Sequence, residues 1–430
     1  MHVLTRFQMF TDIVTVLIGI MYAYQFIYMI ISFIKRRVPQ QKPAQSEHRF
    51  AIFTSARNES EVIPELLESL KKQNYPKDKY DIYVVADNCT DNTAEVSRKH
   101  GAAVFERFNE EEKGKGYALN YLYHNVTALK GNDYYDAYVV FDADNIVDKN
   151  FLKEANKKLD TGKYDAFTTY RNTKNFSNNW ISAAYSIWFM HEARHLNYVR
   201  DLIGAQAMIS GTGYVVTSKL MEKNHGWPFY LLTEDIQFSV DATINDYRIG
   251  YCDSAMLYDE QPVTMKQSWN QRLRWAKGFY QIDARYLLPL THALFTKKKE
   301  KKLGCYDVLM TAAPASLLTV AMLFASIVIV IASVFMPYYV RLVFIHETFG
   351  FIVKMLAEMW LGSIALGAFT VAMEWNRIPA TNWQKIKYLP MFPMYMLTYI
   401  PIAIQALFVK VQWTPIKHYT TAELAEGVHQ

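Results

Sequence analysis

The first residues in this chain equipped for chemistry are carboxylates that close apolar runs. Asp142 and Asp144, in "YVVFDADN", stand two apart where such a run ends. On a strand of period two both would face one side, as a divalent cation bridging to phosphates requires. A turn whose Asp and Asn cap a helix is the other reading of the same letters. Asp87 ends "YDIYVVAD" in the same style, with an Asx-turn as its plainer alternative. Lys113 and Lys115 flank a glycine in "EEKGKGY", which suits a diphosphate or a basic loop that merely solvates itself. Glu234 and Asp235 in "LLTED" read either as a base or as acidic residues complementing a helix dipole. Gln271, Arg272, Arg274 and Trp275 follow on a helix whose Trp269, Leu273, Trp275, Phe279 and Tyr280 could rest on a membrane surface.

A competing signal is "HEARH" at 191–195, with two histidines four apart and Glu192 between them, the spacing of a zinc-binding peptidase helix. It lacks a third ligand. "HLNYVRD" has no HxxGxxH extension, and Asp201 and Glu222 downstream have no ligand context. The flanking "NNWISAAYSIWFM" and "LNYVRDL" give an amphipathic helix of a soluble domain, so the spacing reads as helical periodicity.

The elements that would position these groups alternate. "RFAIFTSARNES", "YDIYVVADNCTDNT" and "YYDAYVVFDADN" read as strands ending in polar residues, and "EVIPELLESLKKQ" and "AEVSRKHG" read as helices, the second with glycine just past its end. Alternation of this kind predicts an α/β, Rossmann-like domain with a mainly parallel sheet and ligands at the strands' carboxyl ends.

Hydrophobic residues make up 51% of the 430, yet 20% are charged, so apolar character should be concentrated in segments. Residues 13–34 carry no ionisable side chain but tyrosine and would extend roughly 33 Å as a helix, enough to cross a bilayer. No small-residue cleavage site is visible, so a retained anchor is expected, with Lys35, Arg36 and Arg37 on the cytoplasmic side. Residues 312–336, 350–373 and 388–409 are the further candidate spans, the last kinked or re-entrant because of Pro390, Pro393 and Pro401. "KKKEKK" at 297–302 again marks the cytoplasmic face. The expected organisation is an anchor (1–37), a linker (38–47), a cytosolic catalytic domain (48–266), interfacial helices (267–302), a membrane domain (303–410) and a tail (411–430) with no appended regulatory domain. Net charge of +5, clustered at these flanks, suggests no nucleic-acid partner, and three scattered cysteines fit a reducing compartment.

In this order the motifs resemble the processive family 2 glycosyltransferases, the group of cellulose, chitin, hyaluronan and poly-N-acetylglucosamine synthases. Asp87, "DAD" at 142–144, "TED" at 233–235 and "QRLRW" at 271–275 match its D, DxD, TED and QxxRW signature over about residues 48–280. The resemblance implies a GT-A-type domain in an integral plasma-membrane protein. It implies that Asp87 holds the uridine or ribose end of a UDP-sugar, and that Asp142 and Asp144 hold Mg²⁺ or Mn²⁺ against the diphosphate. Asp235 would be the base, beside Glu234. Glu59, Lys113, Lys115, Gln271, Arg272, Arg274 and Trp275 would serve the donor, and Gly211, Thr212, Gly213, Thr233 and Trp275 the acceptor. The implied product is a β-linked polysaccharide threaded through the adjacent helices, with a lipid acceptor such as diacylglycerol or ceramide as the alternative. An accessory membrane or export subunit is a further implied partner. One span before the domain and a tail, "WTPIKH", that only loosely matches the family's ending are departures.

Overall fold

The computed structural model describes residues 2–312, 315–411 and 417–426. The strands are β1 Phe50–Ala56, β2 Tyr80–Asp87, β3 Ala103–Arg107, β4 Ala137–Asp142, β5 Ile146–Val147, β6 Ala166–Thr173, β7 Tyr214–Thr217 and β8 Ile249–Asp259. They form one sheet in the order β3-β2-β1-β4-β7-β6-β8-β5. From β3 to β4 it is parallel, as the strand–helix alternation predicts. Beyond β4 it becomes mixed, because β7 runs antiparallel to both β4 and β6. β6 and β8 pair in parallel again, so four of the seven pairings are parallel and the sheet is mixed.

Helices around the sheet are α2 Ile63–Lys71, α3 Thr93–Lys99, α4 Lys115–Lys130, α5 Phe151–Leu159, α6 Trp180–His191, α7 Tyr198–Leu202, α8 Ser218–Lys223 and α9 Glu234–Ile244, preceded by the N-terminal α1 His2–Ile34. Period-two alternation explains the layering. Phe50, Ile52, Val139 and Phe141 pack with α2 and α5 on one face, and Ala51, Phe53, Tyr138 and Val140 pack with α4 and α6 on the other. Both faces are covered, which is why these strands read as continuous apolar runs.

The remaining helices are α10 Met265–Thr296, α11 Lys299–Ala312, α12 Ala315–Ser333, α13 Tyr338–Met373, α14 Asn382–Lys387, α15 Phe392–Leu397, α16 Tyr399–Phe408 and α17 Thr421–Glu426. Among the described residues three stretches are long and apolar enough to cross a membrane: Asp12–Ile34, Tyr338–Met373 and Asn382–Phe408. The last is broken at its prolines into α14, α15 and α16. The segment expected as a second span contributes a shorter apolar helix, Val320–Ser333, among the described residues.

These helices share a core with the sheet. Tyr24 and Tyr28 of α1, Val308 of α11 and Phe392 and Tyr395 of α15 belong to the same buried cluster as Tyr138 and Val140. A buried ion pair reinforces the joint. Arg200 donates to both oxygens of Asp307, at 2.8 and 2.7 Å, and Tyr28 Oη donates to the same carboxylate at 2.9 Å. The "HEARH" histidines serve this joint too. His191 Nδ1 lies 3.1 Å from Thr370 Oγ1 of α13, and His195 Nδ1 lies 2.7 Å from Ser32 Oγ of α1. Burial lowers the His191 pKa to about 3, so its ring is neutral. The two histidines thus join this helix to α13 and α1, and among the described residues no group of His, Cys, Asp or Glu completes a metal site around them.

Candidate active site

The polar strand ends meet in one cleft. Asp87 ends β2, Asp142 ends β4, and Glu234 and Asp235 open α9, and all line the same cavity with Lys115, Asp144, Gln271, Arg274 and Trp275. That is the location that sheet topology favours. Asp144 arrives there by a different route from the one period-two spacing suggests. β4 stops at Asp142, and a turn over residues 143–145, closed by Asn145 N–H donating to the Asp142 carbonyl at 3.2 Å, carries Asp144 inward.

Charge in the cleft is closely matched. Lys115, first residue of α4, bonds the Asp142 carboxylate and donates to the Gly211 carbonyl at 2.7 Å. Burial would lower its pKa, but Asp142 and Glu234 outweigh that and hold the ammonium above its usual range. Arg107 Nη1 donates to Asp87 Oδ1 at 2.7 Å, with both side chains buried. Asp235 Oδ2 accepts the Gly211 backbone N–H at 2.5 Å, which aims the carboxylate along the Ser210–Gly213 loop. Burial pushes Asp235 above the ordinary carboxylate range, and burial with the neighbouring Asp235 pushes Glu234 up to about 7. Two carboxylates raised by burial at one cleft mark a candidate functional site.

The acids around Asp144 provide the metal test. Burial, then Asp259, push Asp144 up to about 8, and Asp142 and Glu260 add to the effect. Among the described residues no three His, Cys, Asp or Glu groups converge as a complete ligand set. Asp142 and Asp144 line the same cleft, and the charge of Asp142 adds to the rise at Asp144, so the two carboxylates are close enough to be considered together as oxygen donors.

Sequence reasoning missed part of this cluster. Arg171 donates from Nε to Asp259 Oδ2 at 2.9 Å and from Nη1 to the Ser210 carbonyl at 3.1 Å. From the tail, His418 Nδ1 sits 3.0 Å from both oxygens of Glu59, and its Nε2 lies 3.8 Å from Asp144 Oδ2. Burial opposes protonation of His418, but Asp144 and Glu59 outweigh it and raise its pKa. The tail is tied down on both sides of His418. Gln267 donates to the Lys417 carbonyl at 3.2 Å, Tyr419 N–H to Glu260 at 3.0 Å, and Thr421 N–H to Glu65 at 2.8 Å. No local pattern announces these contacts, since Glu59 and His418 are 359 residues apart. The rest of "WTPIKH", 413–416, lies outside the described residues.

Other predicted residues fall elsewhere. Arg272 turns away from the cleft, donating to the Tyr395 carbonyl and Thr398 Oγ1 at 2.9 and 2.7 Å, with its guanidinium 4.4 Å from the Tyr395 ring centroid. Two residues along a helix are about 200° apart, so Arg272 and Arg274 cannot share a face. Arg274 is the one in the cleft, and it donates to the Leu232 carbonyl at 3.1 Å. Thr212 is buried, accepting the Asp142 N–H at 3.0 Å and donating to Asn145, so it braces the Asp142–Asn145 turn and does not line the cleft. Gly213 is set by packing: a Cβ there would lie 1.8 Å from Leu257 Cδ2 at φ +65°. Lys113 pairs with Glu110 at the cleft's rim.

Gln271 and Thr233 retain buried, unpartnered oxygens, Oε1 and Oγ1, in residues that line the cleft, the usual mark of a site awaiting a polar ligand. Trp275 stands edge-on to Tyr185 and Phe189, with centroids at 5.8 and 5.9 Å. α10 lies along α16, where Trp269 Nε1 donates to Gln405 at 2.7 Å and Tyr280 Oη to the Ala403 carbonyl at 3.0 Å. The cleft thus has its floor on the sheet and one wall on helices leading into the apolar bundle.

Comparison with known proteins agrees with this geometry. The chain is 26% identical to "Probable glycosyltransferase YdaM" of Bacillus subtilis, over 88% of this chain and 87% of that one. It is 25% identical to a poly-beta-1,6-N-acetyl-D-glucosamine synthase of Staphylococcus epidermidis, over 81% and 82%. A beta-monoglucosyldiacylglycerol synthase of Synechocystis is also 25% identical, over 55% of this chain and 48% of the relative. The fold matches the mannosyltransferase PcManGT from Pyrobaculum calidifontis, solved in complex with GDP-Man and Mn²⁺, at a TM-score of 0.54 and 18% identity, covering 93% of this chain and 99% of that one. The model of the family described as "Glycosyltransferase like family 2" matches residues 48–278, the whole of the cleft except its tail residues, and the chain is a family 2 glycosyltransferase with a GT-A-like fold.

Proposed function

We propose that the protein is a membrane-embedded inverting transferase that moves a sugar from UDP-glucose or UDP-N-acetylglucosamine onto a growing β-linked polysaccharide, with export of the polymer. The observation that carries this reading is the placement of Asp235 on the Gly211 N–H, in the cleft that also holds Asp142, Asp144 and Lys115. Asp235 would take the proton of the acceptor hydroxyl as that oxygen attacks the anomeric carbon and the bond to the UDP oxygen breaks on the opposite side. An α-linked donor then gives a β-linked product. Lys115 and Arg274 line the same cleft and would meet the negative charge that develops on the departing diphosphate. Asp142 and Asp144 would hold Mg²⁺ or Mn²⁺, which when bound neutralises part of that charge. Asp87, fixed by Arg107, is assigned to the uridine end, and Trp275 to the acceptor sugar.

The basic end of α1 supports a cytoplasmic catalytic domain. Arg194 donates to the Arg36 carbonyl at 2.6 Å and Tyr198 Oη to the Lys35 carbonyl at 3.0 Å, so the positive flank lies against the domain. A glycolipid acceptor is the second reading, favoured by the diacylglycerol-acting relative. The polymer reading is preferred because the polysaccharide synthase aligns over 81% of this chain, against 55% for the lipid enzyme. The test is to offer the purified protein a panel of UDP-sugars with Mg²⁺ or Mn²⁺ and to size the product. Polymer is expected. A single-sugar lipid would support the second reading, and absence of UDP release with every donor would refute both.

A further inference from the structure

The helix carrying "HEARH" is not regular. After α6 the chain makes one π-helical turn over Glu192–Asn197 before α7 resumes. Such turns insert a residue into an α-helix and recur at functional sites. Here the insertion separates neighbouring side chains: His191 and His195 go to Thr370 of α13 and Ser32 of α1, whereas Glu192 goes to the Ser210–Gly213 loop. Glu192 Oε2 accepts the Ser210 hydroxyl at 3.1 Å. The next residue is Gly211, whose N–H holds Asp235 Oδ2.

We infer that Glu192 is a positioning residue for the transfer reaction: through Ser210 it fixes the Gly211 peptide, and so the orientation of the Asp235 carboxylate. The inference rests on the reading of Asp235 as the base. Two other tethers hold the same loop by its carbonyls, Arg171 on Ser210 and Lys115 on Gly211. Glu192 supplies the tether on the Ser210 side chain, and it does so from the turn that the membrane helices grip on its other side. Asp235 is thereby joined to α1 or α13 through four residues: His195 or His191, Glu192, Ser210 and Gly211. Because the carbonyl tethers survive its removal, loss of Glu192 should slow transfer without abolishing donor binding.

The test uses the full chain in lipid nanodiscs, with Glu192→Ala, Glu192→Gln, Ser210→Ala and the Glu192→Ala/Ser210→Ala double variant. Initial rates of UDP release are measured with UDP-glucose and with UDP-N-acetylglucosamine under Mn²⁺, UDP affinity is measured by calorimetry, and amide exchange is followed across residues 210–213. Each alanine variant should lower kcat by at least about tenfold, while donor KM and UDP affinity stay within about twofold; a ~1 Å displacement of a reacting group costs on this scale or more. The double variant should be no more than about threefold worse than either single, because both act through one bond. Glu192→Gln, whose amide oxygen still accepts from Ser210, should recover to within about threefold of wild type. Protection of the Gly211 amide should fall in Glu192→Ala and hold in Glu192→Gln. Equal losses in Gln and Ala, multiplicative losses in the double variant, or unchanged Gly211 protection would overturn the inference. A wild-type protein that turns over neither donor would count against the base assignment, and the exchange result would still decide whether Glu192 holds the loop.

Discussion

Gly278 sits on α10 three residues after Trp275, where the helix crosses Thr233, just ahead of Glu234 and Asp235. A Cβ at position 278 would lie 2.5 Å from Thr233 Cγ2, 2.6 Å from its Oγ1 and 3.0 Å from its Cβ. Ordinary contact begins near 3.4 Å, so alanine requires a displacement of about 1 Å. Thr233 cannot swing aside cheaply, since its branch lies at Cβ and stiffens χ1. The strain, on the order of 1–3 kcal/mol for overpacking, should be relieved by movement of α10 or of the Thr233–Asp235 segment. Either shift alters the distance between Trp275 and Asp235, and misplacement of about 1 Å can cost ~100-fold in rate. Gly278→Ala should therefore lower kcat about 100-fold, read from continuous UDP release, with the thermal midpoint in detergent falling by only a few degrees. Thr233→Ala removes both atoms nearest the new methyl. In that background the same glycine substitution should cost less than about threefold relative to Thr233→Ala alone. A Gly278→Ala enzyme with more than half the wild-type rate, or an equal loss in both backgrounds, would refute the close-approach argument.

Other outcomes follow from particular contacts. Asp235 must be ionised to accept a proton, and burial raises its pKa, so kcat should fall as pH drops, along a limb above the ordinary carboxylate range. Lys115 favours the charged form of Asp235, so Lys115→Met should move that limb to higher pH; a limb that stays put or moves down would contradict this. Asp307→Asn leaves Arg200 buried without its counter-charge, a loss on the order of 3–5 kcal/mol, and a thermal midpoint equal to wild type would show the pair to be dispensable. Zinc chelation that spares Mg²⁺ should leave activity unchanged, whereas His191→Ala should lower the thermal midpoint through the lost Thr370 bond. Inhibition by the chelator would revive the metal reading of "HEARH".

What could be read from sequence was whatever local periodicity carries. β1, β2 and β4 are buried on both faces, so their apolar runs mark them, and Asp87 and Asp142 stand at their ends because parallel strands deliver ligands there. β7 was hidden. At four residues it is too short for a periodic signal, and the glycines just before it entered only as acceptor residues implied by the resemblance. Helical arithmetic alone separates Arg272 from Arg274, and applying the angle between them would have removed Arg272 from the site. Gly213 illustrates a different failure: the glycine is real and required, but Leu257 and not a sugar requires it. Arg171, Glu260 and His418 reach the cleft only through long-range packing, which spacing does not encode.

The assignment of Asp235 as the base is tested most directly by Asp235→Asn in lipid nanodiscs, with UDP binding in the presence of Mn²⁺ and sugar transfer measured on the same preparation. The geometry predicts UDP affinity within about threefold of wild type and transfer reduced by at least about 100-fold, the usual scale for loss of a general base. Transfer at more than a tenth of the wild-type rate, with the variant folded and binding UDP, would contradict it.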